Sequence, residues 1–146
     1  WTVGALVGIE EGRYYVLDVQ RMRGTPAEVE RLIVKTAEQD GTKIDIRMEQ
    51  EPGSGGVNTI DHYARRVLVG YPFKGIRSTG SKVERARVAS SAAEMGNVRL
   101  VRGRWNKAFI DELVQFQAGG HDDQVDALSG AVGILVENKA RVRIIV

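Results

Sequence analysis

The sequence predicts one α/β domain built on a mixed β-sheet flanked by helices. Two strand-like runs open the chain, helix and strand patterns alternate through the middle, and helical patterns dominate toward the end. No repeat, low-complexity tract or interdomain linker interrupts that order, and 146 residues with 42% hydrophobic content suffice for one core.

WTVGALVGI and RYYVLDVQRM are rich in strand formers, and the EEG between them reads as a turn, so the pair predicts a β-hairpin. Thr25-Pro26-Ala27-Glu28 has the layout of a capping box with Pro at the first helical position. Val29, Leu32 and Ile33 supply an apolar stripe, and Gly41 supplies a stop. Ile44, Ile46 and Met48 alternate with Asp45, Arg47 and Glu49, the period of a strand with one face inward. EPGSGG breaks the chain. A helix carrying Ile60, Ala64, Val67 and Leu68 follows, then a short strand at FKGIRST. Ser81 and Glu84 form a second capping box, opening a helix to about Gly96. NVRLVRG reads as strand, Asn106 as the cap of a helix with Phe109, Ile110, Leu113 and Val114, and a last helix runs from Asp122 to about Glu137.

Composition narrows the chemistry. There are no cysteines, which excludes disulfides and thiolate metal sites and leaves carboxylates and two histidines as ligands, a set suited to Mg²⁺ or Mn²⁺. No apolar run approaches the roughly 20 residues that span a bilayer, and the first residues lack the layout of a signal peptide, so an intracellular protein with no membrane partner is expected. The net charge of +2 allows nucleic acid as a partner without demanding it.

GGHDDQVDALSG concentrates charge at the start of a helix whose other side, Val125, Leu128, Val132 and Leu135, is apolar. Asp122, Asp123 and Asp126 fall in a wedge roughly 100° wide that borders the core-facing stripe, with Asp122 nearest to it. Two readings are open. One is an N-cap with first-turn carboxylates on the helix dipole; the other is one arm of a cation site, which would relieve repulsion among like charges near the interior. A second arm is sought at the carboxyl end of a strand, where open α/β sheets place their sites: Glu49 first, then Glu51. Gly53, Gly55 and Gly56 follow, either to admit a backbone or phosphate closely or as a plain turn. His121 reads as a ligand, proton carrier or hydrogen-bond partner of the aspartates. Asp18 reads as a further carboxylate or a paired strand residue, and His62 is given no role.

HDDQVDALSGA, IRMEQEPGSGG, TGSKVERAR, and WTVGALVG followed by GRYYVLDVQRMRGTPAEVE together resemble, in order and over nearly the whole chain, the nuclease domain of the large terminase subunit of tailed bacteriophages. The resemblance implies an RNase H-like fold and a Mg²⁺- or Mn²⁺-dependent endonuclease that cuts concatemeric viral DNA with two metal ions. By motif it implies Glu49, Asp122 and Asp123 as catalytic metal ligands and Asp126 as nearby support or a further ligand; His121 and Glu51, read from the residues themselves, are the candidates for support. The implied partners are double-stranded viral DNA, the terminase motor domain, the small terminase subunit and the portal, in the cytoplasm of the bacterial host. No GxxxxGK[ST] phosphate loop is present, so the motor is expected upstream in the parent protein.

In the family a further metal-binding Asp, in an Asp-x-Ala-like motif, lies on a strand before the region matching Trp1. Residues 1–146 are therefore expected to be one N-terminally truncated nuclease domain, short of one carboxylate and one central strand. The strand-like ARVRIIV, within a possible extension over 138–146, has two destinations: the vacant place in the sheet or another chain. Lys82 and Arg85, in the matching TGSKVERAR, are the DNA-contact candidates, with Arg65, Arg66, Arg87, Arg102 and Arg104 as further cations. The same carboxylates would serve an RNase H-like nuclease of resolvase or transposase type, and loss of the Asp would leave a DNA-binding remnant without cleavage.

Overall fold

The computed structural model describes residues 1–116, 118–135 and 140–146. The hairpin forms from β1, Thr2–Glu10, and β2, Arg13–Met22, joined by Glu11 and Gly12, both at positive φ. That two-residue turn matches the right-handed twist of the strands. α1, Pro26–Asp40, starts on the Thr25/Glu28 capping box and ends at Gly41. β3, Asp45–Glu49, buries Ile46 and Met48. α2, Ser54–His62, begins inside the glycine-rich run, earlier than the apolar spacing indicates, and passes into a π-helical turn, Tyr63–Val67. That widened turn leaves Ala64 exposed while Tyr63 and Leu68 are buried.

β4, Phe73–Ile76, α3, Lys82–Glu94, on its Ser81/Glu84 capping box, and β5, Val98–Leu100, follow the predicted order. α4 is Asn106–Val114, but Asn106 is its first helical residue and not its cap. The Asn106 side chain instead closes the preceding turn, accepting from Gly103 N–H at 2.7 Å and donating to the Val101 carbonyl at 3.0 Å. α5 is Asp123–Leu135; the predicted continuation to Glu137, and residues 138 and 139 of the predicted extension, lie outside the described residues. β6 is Arg141–Ile145.

The six strands are ordered β4-β3-β6-β1-β2-β5. β6 therefore lies in the middle of the sheet, antiparallel to β1 and parallel to β3. β2 pairs antiparallel with β1 and parallel with β5, and β3 runs parallel to β4. Five strands thus point one way and β1 alone opposes them. One face of the sheet packs Val3, Ala5, Val7, Val142 and Ile144 against α3, α4 and α5; the other packs Ile46, Met48 and Ile145 against Ile33 and Ala37 of α1 and against Tyr63 and Leu68. α5 is apolar almost all round because it lies between the sheet and its neighbouring helices, with Val125, Leu128, Val132 and Leu135 all buried.

A charged residue fixes β6. Arg143 is only 3% exposed, and its guanidinium donates to both carboxylate oxygens of Asp40 at 2.7 and 2.8 Å, to Asp18 at 3.0 Å and to the Gly4 carbonyl at 3.1 Å. It joins β6 to β1, β2 and the end of α1 at once. Removing one partner of such a pair strands the other in a poorly solvated place. Arg143→Ala should lose about 3 kcal/mol or more in urea denaturation, whereas Asp18→Asn, at the more exposed arm, should lose under about 1 kcal/mol.

The two capping boxes carry a pH dependence. The Glu28 carboxyl is held below its ordinary value of 4.5 by the backbone N–H and then the hydroxyl of Thr25, and Glu84 likewise by Ser81. A depressed folded-state value means that the stabilisation is present above the unfolded value and is lost as pH falls through the folded one. The stability gap between the native chain and a Glu28→Ala/Glu84→Ala variant should stay constant around neutrality and narrow below about pH 4.5, read by denaturation at several pH values.

Candidate functional site

Because β1 alone opposes the other strands, the carboxyl ends of β3, β4 and β6 and the start of β1 share one rim of the sheet. An open cleft follows that rim, lined by Trp1, Glu49, Glu51, Lys82, Asp123 and Asp126 among others. Glu49, the last residue of β3, is half-buried and accepts a hydrogen bond from the Ser78 hydroxyl beyond β4. Ile145 of β6 stands opposite Met48, and Val146, one residue on, lines the cleft beside Glu49. The turn after Glu49 is tight. Gly53 has φ of +91°, and a Cβ at Gly56 would stand 2.0 Å from the Glu51 carbonyl oxygen. Gly56 thus serves a close approach of the chain to itself, not to a phosphate, while a Cβ at Gly55 would meet open space.

The start of α5 is held from α4. The buried Glu112 accepts the Gln124 backbone N–H at 2.7 Å and the Gln124 side-chain amide at 2.6 Å, and Arg21 approaches the same carboxylate at 3.4 Å. A carboxylate on the free N–H groups of a helix start complements its dipole. Here the supporting charge comes from a neighbouring helix, which leaves the aspartates of α5 facing elsewhere.

They face cations of this same chain. Lys82 Nζ donates to both oxygens of Asp122 at 2.8 Å and lies 2.9 Å from Asp126, whose other oxygen is 3.4 Å from Arg85. Hydrogen bonding to Asp122, and then to Asp126, pushes the Lys82 ammonium well above the usual lysine range. Asp126 is the most enclosed of the three, its side chain 11% exposed against 36% for Asp122 and 31% for Asp123. This corrects the expectation that Asp122 lies nearest the core: Asp122 precedes the first helical residue, while Asp126 is carried inward on the first turn.

The donors have the right chemistry for a hard divalent cation, carboxylate oxygens without thiolates. Their spacing as it stands does not hold one. Among the described residues no three acidic or histidine side chains converge as a metal site, and the Lys82 ammonium bonds both Asp122 and Asp126.

A family model for the terminase RNase H-like domain matches residues 1–133. The chain belongs to that family. No curated protein and no solved structure gives a significant match. The six-stranded mixed sheet with helices on both faces accords with the RNase H-like fold of the terminase domain, and β6 lies beyond the matched residues. No helix among the described residues is long and apolar enough to cross a membrane.

Of the residues singled out from the sequence, this terminase domain brings Glu49, Glu51, Lys82, Asp123 and Asp126 to one cleft, with Asp122 bonded to Lys82. Arg85 is turned to Asp126 and to the Gly80 carbonyl. His121 meets Arg23 at 3.3 Å, Asp18 meets Arg143 and Gln20, and His62 meets Glu30 on α1. Arg65 pairs with Asp61, while Arg66, Arg87, Arg102 and Arg104 are exposed. Glu112 and Gln124 were not among those residues. One signal for Glu112 is visible in NKAFIDELV: it stands three residues after the core residue Phe109 and so shares its helix face.

Two outcomes follow from this geometry. Lys82→Met removes a resident counter-ion from Asp122 and Asp126 and should tighten Mn²⁺ binding about fivefold in calorimetric titration, the scale of a half-exposed ion pair. Gly56→Ala forces backbone against backbone and should cost at least about 1–3 kcal/mol in chemical denaturation.

Proposed function

We propose that this terminase domain is a metal-dependent endonuclease unit for double-stranded DNA, with Glu49, Asp123 and Asp126 as the carboxylates of its cleft and Asp122 as their neighbour. What carries the reading is the arrival of acidic residues from β3 and α5 at one rim of an RNase H-like sheet. Mg²⁺ or Mn²⁺ would supply a Lewis acid for the phosphodiester and a more acidic water. Lys82 balances Asp122 and Asp126 without such an ion, and a cation shared by them would have to displace it. Arg85 stays close to Asp126 and limits the repulsion between that carboxylate and an incoming phosphate. The substrate is concatemeric viral DNA in the bacterial host cytoplasm, and the motor domain, small subunit and portal are the partners that family membership suggests.

A second reading, DNA binding without cleavage, draws support from β6. The strand beside Glu49 brings Val146, an apolar residue, to the cleft. We propose that β6 adds no carboxylate to the cleft.

Nicking of supercoiled plasmid in Mn²⁺, beside Glu49→Ala, Asp123→Ala, Asp126→Ala and a chelator control, separates the two. The endonuclease reading expects metal-dependent cutting without preference for branched DNA, reduced at least about 10–100-fold in each variant. A folded chain that retards duplex DNA and leaves the plasmid intact selects the second reading.

A further inference from the structure

Beside the acidic cleft stands a basic and aromatic group that neither reading uses. Trp1 lines the cleft and is 41% exposed. Arg21, near the end of β2, places its guanidinium carbon 4.1 Å from the centre of the Trp1 ring, and Arg23, just past that strand, places its own at 4.6 Å. The two arginines have different surroundings. Arg21 is half-buried and tied to Glu112. Arg23 is exposed, and among the described residues no carboxylate lies within ion-pair distance of it; its neighbours are Trp1 and the His121 ring nitrogen at 3.3 Å. A guanidinium only donates, so that nitrogen accepts.

From this we infer that Arg23, held by Trp1 and His121, is a contact for a backbone phosphate of DNA lying along the cleft, a positioning residue outside the acidic cluster. The inference rests on the proposal that the domain acts on duplex DNA. Its physical basis is preorganisation. A solvent-facing arginine ordinarily loses rotamer freedom when it binds, whereas a guanidinium stacked on an indole has given up much of it beforehand while its remaining N–H donors stay open. The position also answers an electrostatic need. A phosphate chain entering a cleft lined by Glu49, Asp123 and Asp126 is repelled; Lys82 and Arg85 are committed to aspartates, while the exposed Arg77 lines the cleft from just past β4. Arg23 offers its charge at the border of the same cleft without breaking an existing ion pair. His121 is thereby a support for Arg23.

Fluorescence anisotropy of a labelled duplex, titrated with the chain in Ca²⁺ at several salt concentrations, tests this independently of cleavage. Arg23→Ala should weaken binding about three- to tenfold and lower the slope of log affinity against log salt by about one, the signature of one lost phosphate contact. Arg23→Lys should recover the slope but not the full affinity, because an ammonium keeps the charge and loses the planar stack. Thermal melts of both variants should match the native chain, since Arg23 is exposed. Unchanged affinity and slope in Arg23→Ala, with the native chain still binding, overturns the phosphate contact and leaves the nuclease reading standing. No duplex binding by the native chain overturns both.

Discussion

The buried guanidinium of Arg143 is the interaction on which the rest of the architecture depends. Among the described residues β6 is the only strand that links the β3-β4 pair to the β1-β2-β5 group, so the sheet is continuous only while β6 keeps its place. Val142 and Ile144 face one core and Ile145 the other, an alternation that any two-sided strand satisfies and that would tolerate several registers. Arg143 removes that freedom. A one-residue slip would carry the charge to the face packed against α5, away from Asp40 and Asp18 and into an apolar layer. The register so fixed sets Ile145 against Met48 and brings Val146 beside Glu49, so a charge remote from the cleft decides what lines it.

The other end of the cleft is set by a different balance of charge. α5 must start at the sheet rim with three aspartates while its body stays apolar, and each requirement opposes the other. Glu112 resolves half of the conflict by taking the Gln124 N–H from α4, so that no aspartate has to bond that amide. Lys82 and Arg85 from α3 answer Asp122 and Asp126. The cap at Ser81 starts α3 immediately before Lys82 and so fixes where that ammonium arrives. Thus a local signal, the capping box, governs a contact spanning forty residues of sequence.

That division between local and distant causes explains what could be read in advance. Both capping boxes, the Glu11-Gly12 hairpin turn and the alternation around Ile46 are decided within a few residues, and the structure reproduces them. Asn106 misled because its amide can bond a helix start or the turn before it with equal ease, and only the fold of Val101–Trp105 chooses the second. The start of α2 within EPGSGG was hidden because glycine disfavours helix by propensity, while the packing of Gly56 against Glu51 requires its missing side chain. The carboxylates of the cleft were legible because hard-ligand chemistry leaves few residue types to consider. Their partners were not. Glu112, Ser78 and Arg23 acquire meaning only when the sheet brings distant segments together, and nothing in the spacing of FIDELV announces that its glutamate will cap another helix.

The cleft therefore has cations paired with aspartates and cations that are not, the exposed Arg77 of its lining among the latter, and the difference bears on how a polyanion would enter. Lys82 and Arg85 are spent on aspartates, so drawing them toward phosphate would expose those aspartates to the same phosphate. The two losses offset much of the gain. Arg23 is positioned by an aromatic ring and a ring nitrogen of His121, with no carboxylate within ion-pair distance among the described residues, so its charge remains available outward. A surface that must hold a phosphate chain beside carboxylates gains most from cations whose geometry is fixed by neighbours other than carboxylates. Stacking on Trp1 fixes Arg23 in that manner, which an ion pair in its place would not do.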